Sequence, residues 1–129
     1  MRMKKLRPAV YLTAAGVAIL LIAFLNYDQF TVNYWSPPTK TKTWIIPETN
    51  IRVVDSLSDD DKLHGWSYQY YPDGTLQYQS LHVNGQWAGK TSYFKTNGEL
   101  YIDITDFYLF RRTIRRQPDG TYKTSYSWF

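Results

Sequence analysis

The chain has no cysteine among its 129 residues. That absence excludes disulfide bonds, thiolate zinc sites, cysteine nucleophiles and thioester-linked lipids. An excess of one charge is also lacking from most of the chain. The net charge of +4 equals the charge of Arg2, Lys4, Lys5 and Arg7, and residues 8–129 carry 11 basic and 11 acidic residues. A neutral body of this kind gives no electrostatic basis for binding nucleic acid.

Motifs for catalysis, cofactors or metals are equally scarce. The two histidines, His64 and His82, have no carboxylate at the spacing of a metal co-ligand, and residues 59–61 lack the ligand spacing of a calcium loop. No serine lies in a nucleophile motif, and no glycine-rich phosphate loop is present. Asp103 and Asp106 resemble a glycosidase carboxylate pair in spacing alone, and we expect a strand residue and a turn residue instead. We predict no catalytic, cofactor or metal site and no enzymatic activity.

The stretch 8–27 contains 20 residues without a formal charge, most of them apolar. As a helix it would be about 30 Å long, which matches the hydrocarbon thickness of a bilayer. The basic residues ahead of it predict a cytoplasmic N-terminus and a periplasmic or otherwise extracytoplasmic C-terminal domain. A cleaved signal peptide and a buried soluble helix are the alternatives, but a signal peptide usually has a shorter apolar run and a small-residue cleavage pattern.

The segment after this stretch begins as a polar linker. Ser36-Pro37-Pro38 blocks regular structure, and the Thr/Lys run to Lys42 has no apolar periodicity. Two β-branched runs, 44–46 and 51–54, flank a turn-like segment and predict a strand pair. The predicted organisation is a cytoplasmic tail 1–7, a transmembrane anchor 8–27, a tether 28–42 and an extracytoplasmic β domain 43–129.

An internal repeat dominates the rest of the chain. The segment 65–76 recurs 24 residues later as 89–100, with glycine, aromatic and leucine positions in register. A third, decayed copy centres on 118–121, whose sequence Pro-Asp-Gly-Thr repeats that of 72–75. These turns, together with Asn84-Gly85, suit tight hairpins and separate runs of alternating polarity. We therefore predict a mainly β fold, an antiparallel β-meander of hairpin repeats that begins at residue 65.

The repeat resembles the MORN (membrane occupation and recognition nexus) variant found in tandem in YwqK-like antitoxin proteins. The likeness rests on G-W-S-Y-Q-Y-Y-P-D-G-T-L, V-N-G-Q-W-A-G and a second Tyr/Phe-x-x-N-G-x-L motif. It covers residues 65–100 well and 111–129 weakly, because Arg115 and Arg116 replace the aromatic pair of the third copy. It implies hairpins stacked into an elongated twisted sheet and a binding or scaffolding role without a catalytic centre.

Two groups of residues are candidates for partner binding. The first is a run of arginines, Arg111, Arg112, Arg115 and Arg116, which would face an acidic protein surface or lipid phosphates, or would keep an exposed edge strand from aggregating. The second consists of aromatic residues in excess of what one sheet face can bury, namely Trp66, Trp87, Tyr126 and Trp128.

These features predict a membrane-anchored, non-enzymatic module that binds a protein partner at the cell envelope by strand addition or face docking. An immunity or antitoxin protein that faces a toxin is one form of this function. A structural accessory subunit of a larger membrane or envelope complex is the main alternative, and lipid-surface binding through the arginines is the second.

Overall fold

In the computed structural model, the described residues are 14–20, 28, 32 and 36–129. Eight strands form one open sheet in which each strand pairs antiparallel with the next, in the order β1 to β8. This confirms the predicted antiparallel β-meander, including the strand pair before the repeats. The strands are β1 Lys40–Ile46, β2 Ile51–Leu57, β3 Leu63–Tyr70, β4 Leu76–Val83, β5 Gln86–Phe94, β6 Leu100–Asp106, β7 Phe110–Arg116 and β8 Tyr122–Trp128.

The three turns that the repeat places at Tyr71–Thr75, Lys95–Glu99 and Gln117–Thr121 have the same hydrogen bonds. In each, the first residue donates its backbone N–H to the carbonyl of the fifth, and the glycine at the fourth position donates to the carbonyl of the first. The Asp or Asn at the third position accepts the N–H of the fifth residue. Each glycine has a φ between 85° and 90°, which is accessible without strain only to glycine. The third copy is therefore a true repeat at its turn.

The repeat also extends to β-bulges. Gln77 has no residue opposite it, because Gln69 pairs with Tyr78 while Tyr70 pairs with Leu76. Tyr101, 24 residues later, is unopposed in the same way between β5 and β6. The β6–β7 and β7–β8 pairings have no register shift, and the third turn follows the second after 22 residues. Loss of the bulges thus accompanies the shortening of the third copy.

The sheet has two faces, which the register defines. The first face contains the cross-strand row Val53, Gln69, Tyr78, Tyr93, Ile102, Arg115 and Lys123, and the second contains the row Val54, Tyr68, Gln79, Ser92, Asp103, Ile114 and Thr124. Burial is concentrated at the central strands, where Val53, Leu81 and Ile102 are the buried hydrophobic residues among 36–129. Small hydroxyl residues are buried beside them, which fits a thin core inside a single layer.

The structure bears on three expectations from the sequence: the tether, the edge role of the arginines and the anchor. Strand β1 starts at Lys40, so the last three residues of the predicted tether are paired with β2. β7 is an interior strand between β6 and β8, so its arginines do not protect an edge. Only residues 14–20 of the predicted anchor are described, and they are helical. Within the described part of the chain, no helix has the length and hydropathy needed to cross a bilayer.

Replacing Gly89 by alanine should destabilise the fold, because the new Cβ would lie 2.8 Å from the Cβ of Asp106 and φ is +73°. We expect a loss of about 2–3 kcal/mol in the free energy of unfolding, measured by urea denaturation. Gly74→Ala is the control, since φ is +90° there but nothing lies within 4 Å, and it should cost only about 1 kcal/mol. Equal losses in the two variants would contradict the close approach at Gly89.

Candidate partner-binding surface

Arg111 is held within the sheet and is not free to bind an external anion. On the first face, its Nε lies 2.5 Å from Oδ1 of Asp106 and its Nη2 lies 2.9 Å from Oδ2. These hydrogen bonds, which Arg111 donates to Asp106, raise the pKa of the Arg111 guanidinium. The same guanidinium lies 5.6 Å from the ring centre of Trp87 and 5.7 Å from that of Phe129. Arg111 is therefore the centre of a packed cluster at one end of the sheet.

Two other arginines on β7 are also paired. Arg112 Nη2 lies 3.8 Å from Oδ2 of Asp103, and Arg116 Nη2 lies 2.9 Å from Oε2 of Glu99. Both pairs involve the second face, whereas Arg111 and Arg115 lie on the first face. Asp103 and Asp106, which were considered as a carboxylate pair, face opposite sides of the sheet and each binds an arginine.

Arg115 differs from its neighbours because it is exposed and its guanidinium has no hydrogen-bond or ion-pair partner among residues 36–129. It lies on the first face directly opposite Lys123 of β8, which is exposed as well. Of the predicted four-arginine patch, only the Arg115 guanidinium is unpaired among the described residues. Lys123 adds a second positive charge directly opposite it. Sequence reasoning missed Lys123 because its proximity to Arg115 depends on the β7–β8 register.

The four predicted aromatic residues also divide into two that pack within the sheet and two that are largely exposed. Trp66 stacks on Tyr68 with ring centres 6.3 Å apart and has Lys90 Nζ 5.9 Å from its ring. Trp87 is 42% exposed, but its Nε1 donates to Oγ1 of Thr91 at 2.7 Å. Both indoles thus contribute to internal packing, although Trp87 keeps an accessible surface.

Tyr126 and Trp128 are the most accessible of the predicted aromatic residues, at 65% and 76% exposure. They lie on the second face of β8, and both contact the ring of Phe110, at centroid distances of 6.0 and 5.5 Å. Rings of this kind offer a large contact area that is already partly oriented by a neighbour.

β8 is an edge strand whose seven residues are all exposed. The Thr121 carbonyl accepts the Gln117 N–H, and the Phe129 N–H donates to the Leu109 carbonyl at 3.1 Å, so odd-numbered residues point their backbone groups toward β7. In an antiparallel pair the direction alternates along the strand. The N–H and C=O groups of even-numbered residues therefore point away from the sheet, and these residues are Tyr122, Thr124, Tyr126 and Trp128.

An open groove of about 640 Å³ was missed at the level of sequence. Its walls include the Tyr78 and Tyr93 rings, 4.8 Å apart, and the unopposed residues Gln77 and Tyr101 of the two bulges. Gln77 Oε1 is buried and has no hydrogen-bond partner among the described residues. Gln77 and Tyr101 are equivalent positions of the 24-residue repeat, and this equivalence is visible in the sequence. The bulges at the two positions are not, because an unopposed residue leaves no mark in the polarity pattern. The remaining lining residues are Ile51, Gln69, Tyr71, Phe94 and Lys95.

Neither histidine is placed for metal binding. His64 is 2% exposed, accepts the Asn84 N–H at Nδ1 and contacts the Ser36 carbonyl through Nε2 at 2.5 Å. It therefore links the segment before β1 to the β4–β5 turn. Nδ1 of His82 lies 3.5 Å from Ser80 Oγ, and Ser80 is fully buried. Among the described residues, no group of three or more His, Asp or Glu side chains is arranged to hold a metal ion.

Comparison of the chain with protein-family models, with curated proteins and with solved structures finds no match. The resemblance to the MORN variant and to YwqK-like antitoxins therefore stays a prediction.

Burial lowers the pKa of His82 from its ordinary value of 6.5, and the charge of Asp55 opposes this shift. The unfolded chain thus binds a proton more readily than the folded protein does. The corresponding stability is present above pH 6.5 and is lost as the pH falls through the folded-state pKa. Between about pH 7 and pH 5, the wild type should lose more unfolding free energy than His82→Gln does in urea denaturation. Parallel pH profiles for the two proteins would refute this assignment.

Proposed function

We propose that this protein is a non-enzymatic, membrane-anchored module of the cell envelope that binds a protein partner. The anchor is the apolar stretch 8–27, and the partner adds a strand to the edge of β8. The observation that carries the proposal is the row of outward-pointing backbone groups at Tyr122, Thr124, Tyr126 and Trp128.

Strand addition fits this edge for two reasons. Main-chain hydrogen bonds supply affinity when an extended segment pairs with an open edge, and side chains on alternate positions supply specificity. The exposed rings of Tyr126 and Trp128 lie on the same face as Phe110 and form an apolar border beside the free backbone groups. A long exposed edge is an aggregation hazard unless something covers it, and a partner strand would remove that hazard.

The other edge strand, β1, is less suitable for a partner. Lys40 at its start is bound to Oδ1 of Asp61 at 3.0 Å and to the Asp59 carbonyl at 2.8 Å, and Thr39 donates to Asp59. The β2–β3 loop thus caps this end of β1. β1 also carries two lysines, Lys40 and Lys42, whereas β8 carries one, and lysine on an edge discourages pairing. The asymmetry between the two edges favours β8 as the binding edge.

The partner is either a toxin, in which case this protein acts as an immunity or antitoxin protein, or a subunit of a larger envelope complex. A constitutive subunit would co-purify at all times and would be unstable without its complex, whereas an immunity protein would protect only cells that meet the toxin. Lipid binding through the arginine run is less well supported, because Arg111, Arg112 and Arg116 are paired with carboxylates.

Substituting proline at Thr124 tests strand addition directly. The Thr124 N–H points away from β7, so Thr124→Pro removes an outward donor without breaking a bond of the sheet. We expect capture of the partner from mild-detergent extracts, measured by mass spectrometry against wild type, to fall at least roughly tenfold.

Thr124→Ala is the matched control, since it changes the side chain and keeps the N–H. Thermal unfolding of both variants verifies that the sheet is intact. The proposal fails if Thr124→Pro is folded and captures the same proteins in the same amounts as Thr124→Ala.

A further inference from the structure

We infer that the strand added to β8 carries an acidic side chain on the first face of the sheet and apolar side chains on the second. This inference rests on the proposed function and defines the chemistry of the partner. The ligand is thus an extended peptide segment of alternating acidic and apolar residues. Lys123 and Arg115 form its acid-binding site, which we call the cationic step.

The cationic step consists of two like charges placed directly opposite each other. Such a cross-strand pair is unfavourable in the free protein. The other three arginines of β7 lie beside carboxylates that offset their charge, but neither Arg115 nor Lys123 has an ion-pair partner among the described residues. A carboxylate on the next strand would lie beside Lys123 at ordinary cross-strand distance and would relieve this repulsion.

The opposite side of β8 has a different character. Tyr122, Tyr126 and Trp128 all lie on the second face, and Trp128 contacts Phe110. Side chains of an added strand alternate between faces just as those of β8 do. A partner strand that places a carboxylate against the cationic step therefore turns its alternate side chains to the aromatic side, where apolar side chains fit best.

A second copy of this chain fits the edge poorly. Its own free edge would be β1, whose exposed Lys42 has the same sign of charge as Lys123. Both lysines lie on the first face of the sheet, so continuation of the sheet from β8 into a second β1 would place like charges on one face. Pairing of two β8 edges would likewise add lysine to lysine. Charge complementarity thus favours an acidic partner over self-association.

The experiment measures binding of the full-length protein, in mild detergent, to labelled, end-capped peptides by fluorescence anisotropy. One probe alternates valine with glutamate, and the other alternates valine with lysine. We expect the glutamate peptide to bind at least roughly tenfold more tightly, with a preference that weakens as salt is added. Arg115→Gln combined with Lys123→Gln should reduce this preference to about twofold or less.

Lys42→Gln combined with Arg52→Gln is the matched control, because it removes two positive charges from β1 and β2, the two strands at the opposite edge of the sheet. This control should keep the preference for glutamate. Equal binding of both peptides, absence of binding by the glutamate peptide, or a preference that survives the Arg115/Lys123 change overturns the inference.

Two further readouts separate the possible failures. Thr124→Pro should weaken binding of the glutamate peptide, because the added strand needs the outward N–H. If Thr124→Pro abolishes partner capture while the Arg115/Lys123 variant retains it, the proposed function stands and the acidic partner is wrong. If soluble short-chain phosphatidylglycerol displaces the glutamate peptide from the wild type while Thr124→Pro binds that peptide like wild type, the cationic step serves lipid and the inference fails.

Discussion

Backbone pairing between consecutive strands is the constraint on which the rest of this structure depends. Within residues 36–129 there is no helix and no second sheet to pack on the faces of the single sheet. In a layered domain, side-chain burial between layers supplies much of the stability. Here buried small hydroxyl residues hydrogen-bond to the strands beside them: Ser67 donates to Asp55 of β2, and Ser92 donates to Asp103 of β6. Each strand therefore depends on its two neighbours, and a terminal strand with one neighbour is incomplete.

The two edge strands of the sheet differ in how far this constraint is satisfied. At β1, the loop between β2 and β3 supplies carboxylate and carbonyl oxygens to Lys40, so the strand end is occupied. At β8, nothing among the described residues plays this part. The exposed rings, the outward backbone groups and the unpaired charges of Arg115 and Lys123 all lie at this same edge. Their coincidence, more than any one of them, supports the proposal that this edge binds a partner.

The arginine run shows how pairing changes the interpretation of a charged sequence. Four arginines within six residues suggest a patch for anions, yet charge counts do not include geometry. Asp103 and Asp106 on the neighbouring strand neutralise two of them, and Glu99 at the preceding turn neutralises a third. On β7 and β8, the charges without a carboxylate partner among the described residues are Arg115 and Lys123, a lysine that sequence reasoning did not consider for binding.

Much of the fold follows from local chemistry that is legible in the sequence. Asn-Gly and Asp-Gly pairs adopt left-handed backbone conformations at little cost, so the positions of the hairpins and the alternation of the strands are determined by the residues themselves. The registers, the bulges at Gln77 and Tyr101 and the partners of the arginines were decided only in the tertiary structure. Each of these depends on which residues of two strands come to lie opposite each other, and a single unopposed residue changes that alignment without a mark in the polarity pattern.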